Sequence, residues 1–168
     1  MLRMILSCVL LLPMTVLQAE TLEGHVVSVV DGDIINVEVA TRGYHPVRLA
    51  WIDAPARLQD HGYAAAASLQ TLAGGKRVRL EGIIEMQGYW QATVWALPSG
   101  PSCSGAACPK GTDLGLEQVA RGMAWHDQRR LGQPAPEFRQ YQQAEFQAKI
   151  RRLGLWSGKN PTPPWDWR

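Results

Sequence analysis

Three groups of residues have types and spacings that invite chemistry: the Asp31-Gly32-Asp33 triplet, Arg48 with Asp53 just beyond it, and the pair Cys103 and Cys108. Asp-Gly between two β-branched runs is first a hairpin signal, because glycine accepts the positive φ that a tight turn needs. Asp31 and Asp33 therefore read as turn formers before they read as ligands. Arg48 stands midway along the apolar run Val47-Arg48-Leu49-Ala50-Trp51-Ile52 and reads as an inward charge. Packing does not account for it, since an unpaired buried guanidinium is costly. The two cysteines close a C-x4-C loop, which in an oxidising compartment reads as a disulfide. A redox site or half of a metal site are the alternatives. His25, His45, His61 and His126 stand apart in sequence and add no second ligand pair at metal spacing.

The elements that must hold these residues follow from pattern and punctuation. Gly24 to Val30 is β-rich, Ile34 to Val39 returns after the Asp-Gly turn, and His45 to Ile52 makes a third strand after Arg42-Gly43. Pro55 stops it, and a polar loop runs through Gly62. Ala64 to Ala73 has high helix propensity and ends at Gly74-Gly75. Arg77 to Ile84 and Trp90 to Leu97 read as two further strands around a turn at Gln87-Gly88. After a loop rich in Pro, Gly, Ser and Cys from Pro98 to Gly111, a short helix spans Thr112 to Arg121. The longest helical pattern runs from Pro136 to Leu153, with Phe138, Tyr141, Phe146, Ile150 and Leu153 as its apolar stripe. Pro161 to Arg168 is an extended tail. Five strands with a helix between the third and fourth is the order of an OB-type barrel with about three helices packed outside, an α+β fold.

Residues 1–19 read as an export signal: Arg3 supplies a positive start, Met4 to Leu17 is almost unbroken apolar sequence, and Ala19 offers a small residue for cleavage. The stretch is shorter than the ~20 apolar residues of a spanning helix, so no stable membrane insertion is expected after cleavage. An uncleaved anchor is the alternative. The remainder, residues 20–168, has the length of one domain, is expected to be monomeric, and is placed in the periplasm or outside the cell. Its charge is uneven. Residues 20–120 carry seven basic and eleven acidic side chains, whereas residues 121–168 carry nine and four. A polyanion would be drawn, weakly, towards the C-terminal part.

The ordered set Val30-Asp31-Gly32-Asp33, Val47-Arg48-Leu49-Ala50-Trp51-Ile52-Asp53-Ala54-Pro55, Val119-Ala120-Arg121-Gly122-Met123-Ala124-Trp125, Ala144-Glu145 and Gly154-Leu155-Trp156-Ser157 resembles the exported bacterial branch of the staphylococcal nuclease (thermonuclease) family. The resemblance runs from about Gly24 to the proline-tryptophan tail. It implies a five-stranded OB barrel and calcium-dependent hydrolysis of DNA or RNA phosphodiesters. By position it implies that Asp33, Asp53 and the backbone carbonyl of Ala54 ligate Ca2+ and that Arg48 binds phosphate.

The chain departs from that pattern at points that matter for chemistry. The family pattern has Glu after the Asp-x-Pro proline, and here Ala56 stands there. A second arginine is expected after the glycine of the fourth-to-fifth strand turn, where this chain has Gly88-Tyr89. The threonine expected after Asp-Gly-Asp is Ile34. Losing a positioned base costs roughly 10²–10⁴-fold, and losing one transition-state charge donor on the order of 10²–10³-fold. Arg57 and His61, in the loop after Ala56, are candidate substitutes: His61 as a base near neutral pH, Arg57 as a charge. Two functions follow: a weakened exported nuclease acting on single-stranded DNA or RNA, or an inactive barrel that binds nucleic acid or another polyanion. A tail docking on a partner through Trp156, Trp165 and Trp167 is a third.

Overall fold

The computed structural model describes residues 21–99 and 110–167. The export segment and the Cys103/Cys108 pair lie outside them. Strands β1 (Thr21–Asp31), β2 (Ile34–Val39) and β3 (Gly43–Leu49) form an antiparallel meander, and β5 (Arg77–Met86) and β6 (Tyr89–Ala96) a hairpin. β5 pairs with β1, and a parallel pairing of β3 with β6 closes the five strands into a barrel. Three helices pack outside: α1 (Gly62–Ala73), α2 (Leu114–Ala120) and α3 (Ala135–Ile150). This is the OB-type α+β architecture expected from the order of elements. Strict alternation fills the barrel: in β6, Trp90, Ala92, Val94 and Ala96 point inward, against Ile35, Val37, Val47, Leu49, Val78 and Leu80 from the other strands.

Three local differences from the sequence reading bear on the site. The third strand does not run to Ile52. It ends at Leu49, and Trp51 takes a left-handed conformation (φ +68°), an arrangement that costs an aromatic residue about 1–3 kcal/mol. Three contacts hold it: Ala50 N–H donates to Ala92 O, Trp51 Nε1 donates to Thr93 Oγ1, and Trp51 O accepts from Asp127 N–H at 2.8 Å. The chain then leaves the barrel as β4 (Ile52–Asp53), which pairs with a short strand that periodicity did not reveal, β8 (Trp125–His126). The short β7 (Thr112–Asp113) adds to the edge of β6.

The second difference is the face of α3. Tyr141, Glu145 and Ala148 are buried, while Phe146 and Ile150 of the expected apolar stripe are 55% and 61% exposed. Glu145 goes inward because its carboxylate accepts from His126 N–H and pairs with Lys149 at 2.7 Å. Third, the tail is not simply extended. It turns at Pro163–Asp166, and Trp165 packs edge-on against Trp125. Trp156 does the same at 5.6 Å, so both indoles serve the chain's own fold. No helix among the described residues is long and apolar enough to cross a membrane.

Candidate active site

Asp33 is placed by the turn between β1 and β2, and that turn is fixed from behind. Gly32 lies against Ala54 and Ala65 so closely that a Cβ on it would fall 2.6–2.7 Å from theirs. Beneath it the fully buried amide of Gln118 donates to Gly32 O at 2.8 Å and Ala65 O at 3.0 Å, and accepts from Ser68 Oγ at 2.6 Å. One side chain from α2 thereby ties the turn to α1 with its donors and acceptor satisfied.

The β2–β3 register pairs Ile34 with Arg48, which sets Asp33 beside that arginine. Arg48 alternates with the buried Val47 and Leu49, so it leaves the barrel on the outer face rather than pointing into the core, which corrects the inward reading. Its Nε stands 3.2 Å from Asp33 Oδ2. The contact has ion-pair distance without hydrogen-bond alignment, and both atoms are buried with no hydrogen-bond partner. Burial pushes the Asp33 carboxyl up to about 7, opposed by Arg48 and reinforced by Asp53 and Asp31. Asp53 is also raised, by burial first, against the charges of Arg48 and Arg130. Asp33 thus feels Asp53, and both aspartates feel Arg48 and Arg130.

The structure brings in three residues that sequence reasoning did not single out. Asp127 follows β8 directly and its side chain is 3% exposed. Its carboxylate accepts from Arg129 Nε at 2.7 Å, from a second Arg129 nitrogen at 3.0 Å and from Arg130 Nε at 2.9 Å. Burial acts to raise its pKa, but these hydrogen bonds and charges outweigh it and hold the carboxyl below the usual range. Arg129 reaches on to Asp53 at 3.4 Å and lies over the Trp165 ring at 3.9 Å. Arg130 donates a hydrogen bond to Gln91 Oε1, and Gln91 is the β6 neighbour of Arg48.

The other sequence candidates lie elsewhere. The Arg57 guanidinium sits over the Tyr63 ring, and His61 takes a left-handed turn (φ +66°) at the start of α1. His61 lines a pocket of about 250 Å3 with Gln59, Lys159, Thr162 and Trp167, under the tail. Neither is among the charges acting most strongly on Asp33 or Asp53. Ala56 closes a turn, its carbonyl accepting from Gln59 N–H and its N–H donating to Gln59 Oε1. Tyr89 opens β6 beside a pocket of about 290 Å3 that includes the stacked rings of His45 and Trp90.

The staphylococcal nuclease homologue family model matches residues 46–158, which include Arg48, Asp53, Asp127, Arg129 and Arg130. The chain belongs to the staphylococcal nuclease family. It is 36% identical over 149 residues to a micrococcal nuclease of Shigella flexneri, covering 86% of this chain and 79% of that protein. An uncharacterized endonuclease of Escherichia coli O157:H7 is 30% identical over 148 residues, with 88% and 85% covered. One from Haemophilus influenzae is 32% identical over 169 residues, with 99% and 85% covered.

For a staphylococcal nuclease-family site, the donor set at the cleft is made of hard oxygens. Among the described residues no group of three or more His, Cys, Asp or Glu side chains assembles to hold a metal. What is present is a buried Asp33 oxygen without a hydrogen-bond partner, 3.2 Å from Arg48 Nε and within the electrostatic reach of Asp53. That suits a hard divalent cation held by few protein ligands and several waters. Arg129 and Arg130 lie in the basic C-terminal stretch, four and five residues after Trp125, but nothing local sets them apart from the other arginines there.

Proposed function

We propose that this protein is a calcium-dependent phosphodiesterase that cleaves single-stranded DNA or RNA slowly, outside the cytoplasm. The observation that carries the reading is the Asp33–Arg48 contact at 3.2 Å, with the charge of Asp53 also acting on Asp33. Asp33, Asp53 and the Ala54 carbonyl are the residues that would hold calcium. When bound, calcium supplies Lewis-acid polarisation of a phosphoryl oxygen and draws bound water towards ionisation. Arg48 then pairs with a non-bridging oxygen of the phosphodiester, where negative charge grows in the transition state. No carboxylate stands at Ala56 to orient the attacking water, and Tyr89 carries no charge. The placement of Arg57 over Tyr63 and of His61 under the tail argues against either replacing the missing groups. The two losses act on one step, so the product of their factors is an upper bound on the deficit.

The test is cleavage of a labelled single-stranded DNA by the purified protein with calcium and with chelator, alongside an Ala56→Glu/Tyr89→Arg variant. Slow, calcium-dependent cleavage that the variant raises by about two orders of magnitude or more fits the proposal. Cleavage unaffected by chelator would overturn it. The vacancies at Ala56 and Tyr89 also favour a second reading, a binding barrel without turnover; DNA binding with no cleavage in either protein would select it.

A further inference from the structure

We propose that Arg130, carried on the segment between β8 and α3, is a second phosphate-binding arginine of this site, an inference that rests on reading the cleft as a phosphodiester site. Arg130 is fixed on two sides. Its Nε donates to Asp127 at 2.9 Å, and another guanidinium nitrogen donates to Gln91 Oε1. Gln91 lies directly beside Arg48 in the parallel β3–β6 pair. The bond to Gln91 therefore draws the Arg130 guanidinium up to the same strand position from which Arg48 reaches Asp33.

Arg130 is surplus to the local ion pairing. Arg129 alone occupies both Asp127 oxygens, through Nε on one and a terminal nitrogen on the other. That bidentate fork already satisfies the carboxylate. A second, 20% exposed guanidinium on the same acid brings a positive charge beyond the one that balances Asp127. Arg129 is the less suitable phosphate ligand, because it is committed to Asp127, Asp53 and the Trp165 ring together. Arg130 is mostly buried, held by Asp127 on one side and by the neutral amide of Gln91 on the other. Its planar fork suits a phosphate oxygen pair. In this assignment Asp127 and Gln91 are positioning residues, and the loop supplies a cation that the barrel strand at Tyr89 does not.

The test uses the full chain and a fluorescent single-stranded oligothymidylate, without metal, so that binding is read apart from turnover. Kd is measured across a salt series for the wild-type chain, Arg130→Gln, Arg130→Lys and, as a control, Arg139→Gln on the exposed face of α3. Arg130→Gln keeps a donor for Asp127, and a thermal melt of each variant checks the fold. We expect Arg130→Gln to weaken binding several-fold and to flatten the slope of log K against log salt by about 0.7, one phosphate contact on a single strand. Arg130→Lys should restore the slope but only part of the affinity, and Arg139→Gln should match wild type. Unchanged affinity and slope in a folded Arg130→Gln would overturn the proposal while leaving the phosphodiester reading intact. A wild-type chain that binds no oligonucleotide would overturn both. With calcium, loss of Arg130 should lower kcat by about 10²-fold, more than it raises KM.

Discussion

Asp127→Asn is the substitution that most directly tests the arginine-holding loop. The amide keeps one oxygen, so the Arg129 Nε contact at 2.7 Å survives. The other oxygen becomes an NH2 group facing Arg130 Nε at 2.9 Å and the Arg129 terminal nitrogen at 3.0 Å, donor against donor. Hydrogen bonds to charged groups contribute about 1.5–3 kcal/mol each. Arg129 is 53% exposed, so its share is discounted for solvent, whereas Arg130 at 20% is not far short of buried. A net loss of about 2 kcal/mol follows, or about 4–8 °C in Tm for a domain of this size. The pH dependence gives a second reading of the same quantity. Asp127 is held below the ordinary carboxyl range, so its stabilisation is complete above about pH 4 and is lost as pH falls through its folded pKa. The gap between wild type and variant should therefore be widest at pH 7 and shrink below pH 4. Differential scanning calorimetry at pH 7, 5 and 3 measures both. A variant melting within 1 °C of wild type at pH 7 would refute the reasoning, because it would mean that the hub carries no net energy.

Tyr141→Phe removes the hydroxyl that donates to the buried Asp113 carboxylate, 2.9 Å from both oxygens, and should cost about 1–3 kcal/mol in a urea titration. The Asp113 caps to Gly115 and Leu116 remain in that variant, so α2 should persist by circular dichroism. Calcium affinity should fall about tenfold between pH 8 and pH 6 in calorimetric titrations, because Asp33 titrates near 7 without metal and ligation requires the ionised carboxylate. A pH-independent affinity would show that Asp33 is not a ligand.

The barrel was legible in the sequence because its signals are local. Asp31-Gly32, Arg42-Gly43 and Gln87-Gly88 mark the turns, and alternation such as Trp90, Ala92, Val94 marks a half-buried strand. Asp33 and Arg48 were legible for the same reason, since a hairpin register brings them together within one meander. The end of the third strand was not. Trp51 lies in an apolar run that favours a strand, and its left-handed turn is imposed by contacts from Ala92, Thr93 and Asp127, which are distant in sequence. The α3 face was misjudged because hydrophobicity was weighed without pairing. Glu145 is buried where His126 N–H and Lys149 satisfy it, and Phe146 is left outside. Arg129 and Arg130 were missed because nothing local distinguishes them from other solvated arginines. Their roles arise from a two-residue ladder between Asp53 and Trp125 that no periodicity can announce.

That ladder also explains how a loop outside the barrel can bring positive charge to Asp53. β4 carries Asp53 out of the barrel and against β8, so the segment after His126 starts at Trp51, where Asp127 N–H donates to Trp51 O, and Arg129 reaches back from it to Asp53. The tail then fixes that segment from outside. Trp165 packs on Trp125 and lies under Arg129, while Thr162 O accepts from the buried Gln59 amide at 2.6 Å, and Gln59 in turn closes the Ala56 turn. One stretch, residues 162–165, thus braces both the loop after Pro55 and the arginine loop. Each contact is modest, since an exposed cation–π pair contributes only ~0.5–1 kcal/mol. Together they hold two loops that share no covalent neighbour to the same cleft. A charge on such a braced loop can stand as near the acids as one on a strand, and the vacancy at Tyr89 therefore says where an arginine is absent, not how much positive charge the cleft holds.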